Sequence, residues 1–118
     1  MAPGGMVKGY YAYASKQGAS GSDTVTFEGT EIPRGCIGVL SFISVIDYTT
    51  AAKGLILGKR DAGGNDRYLR MVKLASTYEC SLEGPVYLLE GERPIGIVES
   101  PTTSDVLYFA AYGVLRAP

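Results

Sequence analysis

Residues 38–47 read Gly-Val-Leu-Ser-Phe-Ile-Ser-Val-Ile-Asp. In an extended chain successive side chains point to opposite faces, so Val39, Ser41, Ile43 and Val45 oppose Leu40, Phe42, Ser44 and Ile46. Both sets are mostly apolar. A strand of this kind belongs in the interior of a sheet, covered on both sides. Residues Val106 to Leu115 show the same two-sided apolarity. They read either as a second central strand or as one whose outer face another subunit buries. One small sandwich cannot cover two such strands on both faces, which favours the subunit.

Outward from this stretch, short runs rich in β-branched and aromatic residues recur, with glycine, proline or Asx between them and almost no helical periodicity. The spacing predicts strands at Val7 to Ser15, Thr24 to Phe27, Gly38 to Asp47, Gly54 to Lys59 and Tyr68 to Leu74. Further strands are predicted at Tyr78 to Leu82, Val86 to Leu89, Ile95 to Glu99 and Val106 to Leu115. Between Lys59 and Arg67, Asp61-Ala-Gly-Gly-Asn-Asp66 supplies residues that tolerate positive φ, so its flanks form a hairpin. The reading is an all-β, single-domain antiparallel β-sandwich, jelly-roll-like, of eight or nine strands, spanning residues 7–118 behind an N-terminal arm at 1–6.

Composition narrows what such a domain does. The chain has 118 residues, net charge −1, no histidine and no tryptophan. By surface scaling it buries about two thirds of what its unfolded form exposes, enough for one core and little more. Without a basic face, duplex nucleic acid and anionic membrane surfaces are not expected as partners. Without histidine, histidine-dependent triads and most catalytic metal sites are excluded, so no cofactor and no small-molecule substrate is expected. Met1-Ala-Pro-Gly-Gly-Met6 has neither a basic nor an apolar region of a secretory signal, which points to synthesis in a cytosol. The longest apolar runs, Cys36 to Ile46 and Val106 to Leu115, fall short of the roughly 20 residues a membrane helix needs. Cys36 and Cys80 match neither a zinc nor a CxxC spacing and read as buried reduced thiols, with a disulfide between neighbouring strands as the alternative.

Three constellations touch on chemistry. Gly54-Leu-Ile-Leu-Gly-Lys-Arg60 falls one residue short of phosphate-loop spacing and has Arg60 where a magnesium-holding hydroxyl is needed. The Asp61 to Asp66 turn offers oxygen ligands but lacks the alternation and terminal glutamate of a calcium loop. Glu90, Glu92 and Glu99 form a carboxylate group without aromatic platforms of the tryptophan kind that would suit glycoside hydrolysis. The chain reads as a non-enzyme.

The features that remain are contact features. Nine tyrosines against three phenylalanines is a surface-biased aromatic choice, because the hydroxyl needs water or a partner. Adjacent Tyr10 and Tyr11 face opposite sides of their strand, so at least one of Tyr10, Tyr11 and Tyr13 meets solvent or another chain. Lys59, Arg60, Arg67, Arg70 and Lys73 form a basic patch diluted by Asp61 and Asp66, suited to a solvated face or a salt-bridging subunit contact. The expected contact residues are therefore Met1, Pro3 and Met6 of the arm, Tyr10, Tyr11 and Tyr13 of the first strand, and Arg60, Arg67 and Arg70.

Two stretches resemble small β-rich proteins of tailed-bacteriophage virions. Ile32-Pro-Arg-Gly35, the long apolar strand and the Leu55-Ile-Leu-Gly58 hairpin are similar to the opening of phage jelly-roll modules. Leu88-Leu-Glu-Gly-Glu-Arg-Pro94, Ile95 to Val98, Ser104-Asp-Val-Leu107 and Tyr112-Gly113 are similar to the closing pattern of head decoration, or cement, proteins. The resemblance implies a structural virion protein on the outer surface of a capsid, usually a homotrimer, clamping neighbouring major capsid subunits. It carries no catalytic residues. The alternatives are a tail-tip or fibre sandwich that binds host-surface saccharide, and a head-tail connector component.

Overall fold

The computed structural model describes residues 8–17, 24–49, 54–73, 78–102 and 104–117. They form eight strands: β1 (Lys8–Gln17), β2 (Val25–Glu28), β3 (Ile37–Asp47), β4 (Gly54–Arg60), β5 (Asp66–Val72), β6 (Glu79–Leu88), β7 (Arg93–Glu99) and β8 (Val106–Arg116). One sheet runs β1-β8-β3-β6 and the other β2-β7-β4-β5. Pairing is antiparallel throughout, β1 with β8, β2 with β7, β3 with β6 and β4 with β5, as though one long hairpin were rolled across two sheets. This order is a jelly roll.

Alternation builds the core. Leu40, Ile43 and Val45 of β3, Leu55 and Leu57 of β4, Val98 of β7 and Leu107, Phe109 and Ala111 of β8 turn inward and are fully buried. Phe27 of β2 stacks on Phe109 with centroids 5.7 Å apart, joining the sheets. Opposite them β7 carries Gly96, where a Cβ would stand 2.5 Å from the Phe109 ring, so the stacked pair fits only over a residue without a side chain. A second cluster, Ile56, Ile95 and Ile97, is buried on the opposite face of the β7 and β4 strands.

The loop from β2 to β3 is tied to the turn from β6 to β7. Ile32 donates its N–H to Glu92 O at 2.8 Å, and Gly91 donates to Ile32 O at 2.9 Å. Gly35 and Gly91 sit at φ near +80°, where a side chain is strained. In the β4–β5 hairpin Asp61 Oδ1 accepts the N–H groups of Gly63 and Asn65, both at 2.9 Å. These bonds, chiefly the one from Asn65, hold its carboxyl below the usual range. The turn's oxygen atoms thus serve the turn itself, as a hairpin tip requires.

Three expectations change. The stretches Tyr78 to Leu82 and Val86 to Leu89 are one strand, β6, because Gly84 and Pro85 stay within the ladder opposite Ser41 of β3. β6 is an edge strand, where the missing N–H of a proline is tolerated. The two faces of β3 also differ from simple alternation. Ser41 is an extra residue, since Leu40 pairs with Gly113 and Phe42 with Tyr112. This bulge flips the phase, so Leu40 joins Ile43 and Val45 inside while Val39 joins Phe42 and Ile46 outside. Finally, β8 lies between β1 and β3, so part of its two-sided apolarity is that of a central strand.

Candidate contact surface

The outer face of the β1-β8-β3-β6 sheet is set by register. Tyr11 of β1 stands opposite Tyr112 of β8, which stands opposite Phe42 of β3. The three rings form a row: Tyr11 stacks with Tyr112 at 6.1 Å and Tyr112 meets Phe42 at 5.4 Å. A second row runs from Tyr13 to Tyr108 at 6.3 Å, and Tyr48 meets Tyr108 edge-on at 6.0 Å. These are cross-strand neighbours within reach of one another, so each ring is oriented by the next. Tyr11, Tyr13, Tyr48 and Tyr112 stand exposed, Tyr11 at 79%, while Phe42 and Tyr108 are half-buried.

At the β6 side the face becomes acidic. Glu83 pairs with Phe42 and Glu79 with Ile46, and among the described residues neither enters an ion pair. The Ser41 bulge opens a shallow cleft of about 360 Å³ here, lined by Ser41, Phe42, Glu83, Pro85 and Tyr112. The surface is a ring platform with a carboxylate-edged socket.

The expected contact residues divide. Tyr11 and Tyr13 lie on this face. Tyr10, expected with them, points into the core at 4% exposure and donates its hydroxyl to Thr30 O at 2.5 Å. Burial pushes its pKa up to about 12. It is thus a core residue with a satisfied hydroxyl and offers no surface to a partner. Arg60 is held by Asp66 and Glu28 within its own chain, and Asp66 keeps its pKa raised. Arg67 and Arg70 lie on β5, in the other sheet from Tyr11 and Tyr13, and neither enters an ion pair among the described residues. Met1, Pro3 and Met6 lie outside the described residues.

Tyr108, Tyr112, Phe42 and Glu83 were not singled out by sequence reasoning. The alternation of tyrosines at 108 and 112 along β8 carries a signal for two of them. Phe42 and Glu83 join the face by plain alternation against inward Ile43 and Leu82. Elsewhere, Lys8, Arg34 and Arg116 rim a cleft of about 430 Å³ with Cys36 and Leu115 at one end of the sandwich. Cys36 is half-buried, Cys80 is buried with its pKa raised by burial, and both are free thiols. Among the described residues no His, Cys, Asp or Glu group is placed to hold a metal ion.

No family model matches the chain, and no curated protein is similar to it. Among solved structures, the chain is similar to the core of Drosophila NLP, described for pentamer formation and histone binding, at 13% identity over 86% of this chain and 94% of that one, TM-score 0.42. It is similar to murine APRIL at 14% identity over 87% of this chain and 98% of that one, TM-score 0.42. It is also similar to a chain of the infectious bursal disease virus Gx strain structure, at 14% identity over 96% of this chain and 32% of that one, TM-score 0.45. Likenesses this weak carry no argument about role or partner, and the jelly-roll assignment rests on the strand order.

Proposed function

We propose that the protein is a structural virion component: a capsid decoration, or cement, subunit of a tailed-bacteriophage head. In this reading it is made in the host cytoplasm, acts as a homotrimer on the outer surface and sits between major capsid subunits. The observation that carries the reading is the aromatic outer face of β1, β8 and β3, held in two rows and left open. Contiguous apolar patches of this kind mark interaction surfaces, and tyrosine is enriched at interfaces because its ring buries well while its hydroxyl stays satisfied. A subunit that binds the assembled lattice and not its separated parts stabilises it by mass action. At a hundredfold excess over Kd the gain is about 2.7 kcal/mol per site.

The experiment compares heads with and without the protein. Complete heads are expected to survive heating and osmotic shock that release DNA from stripped ones, and added protein restores resistance. Tyr11→Ala combined with Tyr112→Ala restores it poorly. Equal survival of stripped and complete heads overturns the reading. Binding to host glycans that is lost on Tyr11→Ala and Tyr13→Ala, with no effect on heads, replaces it with a saccharide-binding module.

A further inference from the structure

A second exposed surface lies on β5. Among the described residues this strand pairs only with β4, and Arg67, Tyr68, Leu69, Arg70 and Met71 are all exposed along it. Register divides its sides: Met71 pairs with Ile56 and Tyr68 with Gly58, while Arg70 pairs with Leu57 and Arg67 with Lys59. The other cations of this hairpin and its neighbours are committed, Lys59 to Glu92, Arg60 to Asp66 and Glu28, Lys73 to Glu99 and Arg93 to Glu31. Among the described residues Arg67 and Arg70 have no acidic partner in an ion pair, though Arg70 also lies against the Cys80 thiol. The chain therefore presents a narrow apolar ridge bearing guanidinium groups outside any ion pair. It also presents a flat aromatic face bearing carboxylates of the same kind, Glu79 and Glu83.

We propose that these surfaces meet across copies: the β5 ridge of one subunit packs on the β1-β8-β3 face of the next. Leu69, Met71 and Tyr68 cover tyrosine rings, and a guanidinium of the ridge lies over Tyr112 and Phe42 at the 360 Å³ cleft, where Glu83 accepts it. The occupant is a second copy because exposed apolar side chains and unpaired guanidinium groups on one surface answer exposed rings and unpaired carboxylates on the other. Two different patches make a heterologous contact, which closes into a ring when the rotation permits. The trimer of the reading above supplies the ring size, and to that extent the inference rests on that reading. Apolar burial drives the contact, since exposed ion pairs contribute little, while the charges fix its register.

The test uses the purified full chain, with mass measured by sedimentation across protein concentrations and folding checked by thermal unfolding. The unaltered chain is expected to be a closed oligomer. Arg67→Glu with Arg70→Glu, and separately Glu79→Arg with Glu83→Arg, each weaken association at least tenfold with the fold retained. All four substitutions in one chain restore much of it, because the reversed ridge of one copy meets the reversed face of the next. Tyr112→Ala weakens association as well. A chain that is monomeric at tens of micromolar overturns the inference, as does an oligomer indifferent to the ridge reversal, which is the outcome for a symmetric face-to-face dimer. The cement reading is judged separately: a monomer that protects heads sinks the ridge contact alone, and an oligomer that fails to protect them sinks the cement role alone.

Discussion

Tyr10 and Tyr11 are adjacent and of one residue type, yet the fold uses them in opposite ways. Tyr11 lies open on the outer face, while Tyr10 gives its hydroxyl to the Thr30 carbonyl inside. Replacing Tyr10 by Phe is expected to cost about 1 kcal/mol at neutral pH, the net worth of one buried hydrogen bond. The alkaline range gives a sharper check. The phenol ionises near 10 unfolded and near 12 folded, so its stabilising contribution is complete below pH 10 and is lost as pH rises through the folded value. The difference in denaturant midpoint between the unaltered chain and Tyr10→Phe should hold steady well below pH 10, shrink as pH passes 10 and reverse sign before 12, because a pKa rise of this size outweighs one hydrogen bond. A difference that does not change across that window contradicts the assignment. The sequence does show that these two tyrosines face opposite ways. Which one is inside depends on a carbonyl 20 residues away, which local pattern does not display.

At the scale of elements, most strands are legible because turn residues bracket period-2 runs, as at Gly54 and Asp61 around β4. The misreadings gather around one spot, the Ser41 bulge, where β3 gains a residue against β8 and β6 absorbs Gly84 and Pro85. A bulge leaves no compositional mark in the strand that carries it, and a Gly-Pro pair ordinarily signals a turn. The glycines beside the bulge record it instead. A Cβ on Gly113 would lie 2.1 Å from the Val39 carbonyl oxygen, and one on Gly84 would lie 1.9 Å from that of Leu40. Backbone cannot give way as a side-chain tip does, so Gly113→Ala is expected to cost about 1–3 kcal/mol. Gly9 on the adjoining β1 has open space within 4 Å of where a methyl would stand, and Gly9→Ala should be neutral or stabilising by up to about 1 kcal/mol. Equal effects of the two substitutions in urea denaturation would refute this account of the bulge. The candidate face is legible in part: Tyr11 and Tyr13 show in the alternation of their own strand, whereas their meeting with Phe42 and Glu83 depends on cross-strand register that local pattern does not display.

For the whole molecule, the core closes without a covalent staple, since both thiols are free. A thiol reagent should modify half-buried Cys36 in the native protein and Cys80 only on unfolding, and a reductant should leave the unfolding temperature unchanged. A drop in that temperature on reduction would mean that the thiols pair. The rolled topology carries one further consequence, and it concerns time rather than energy. Among the described residues β1 pairs with β8 alone, so a strand made early waits for one made about ninety residues later before it has a neighbour. Throughout that interval its alternating tyrosines and alanines stand unpaired in an unfinished chain, while β4 and β5 can form their hairpin early. The outer aromatic face is thereby completed only after β8 has been made. The Tyr11–Tyr112–Phe42 row does not exist until β8 is in place, so an incomplete chain cannot recruit a neighbour through it.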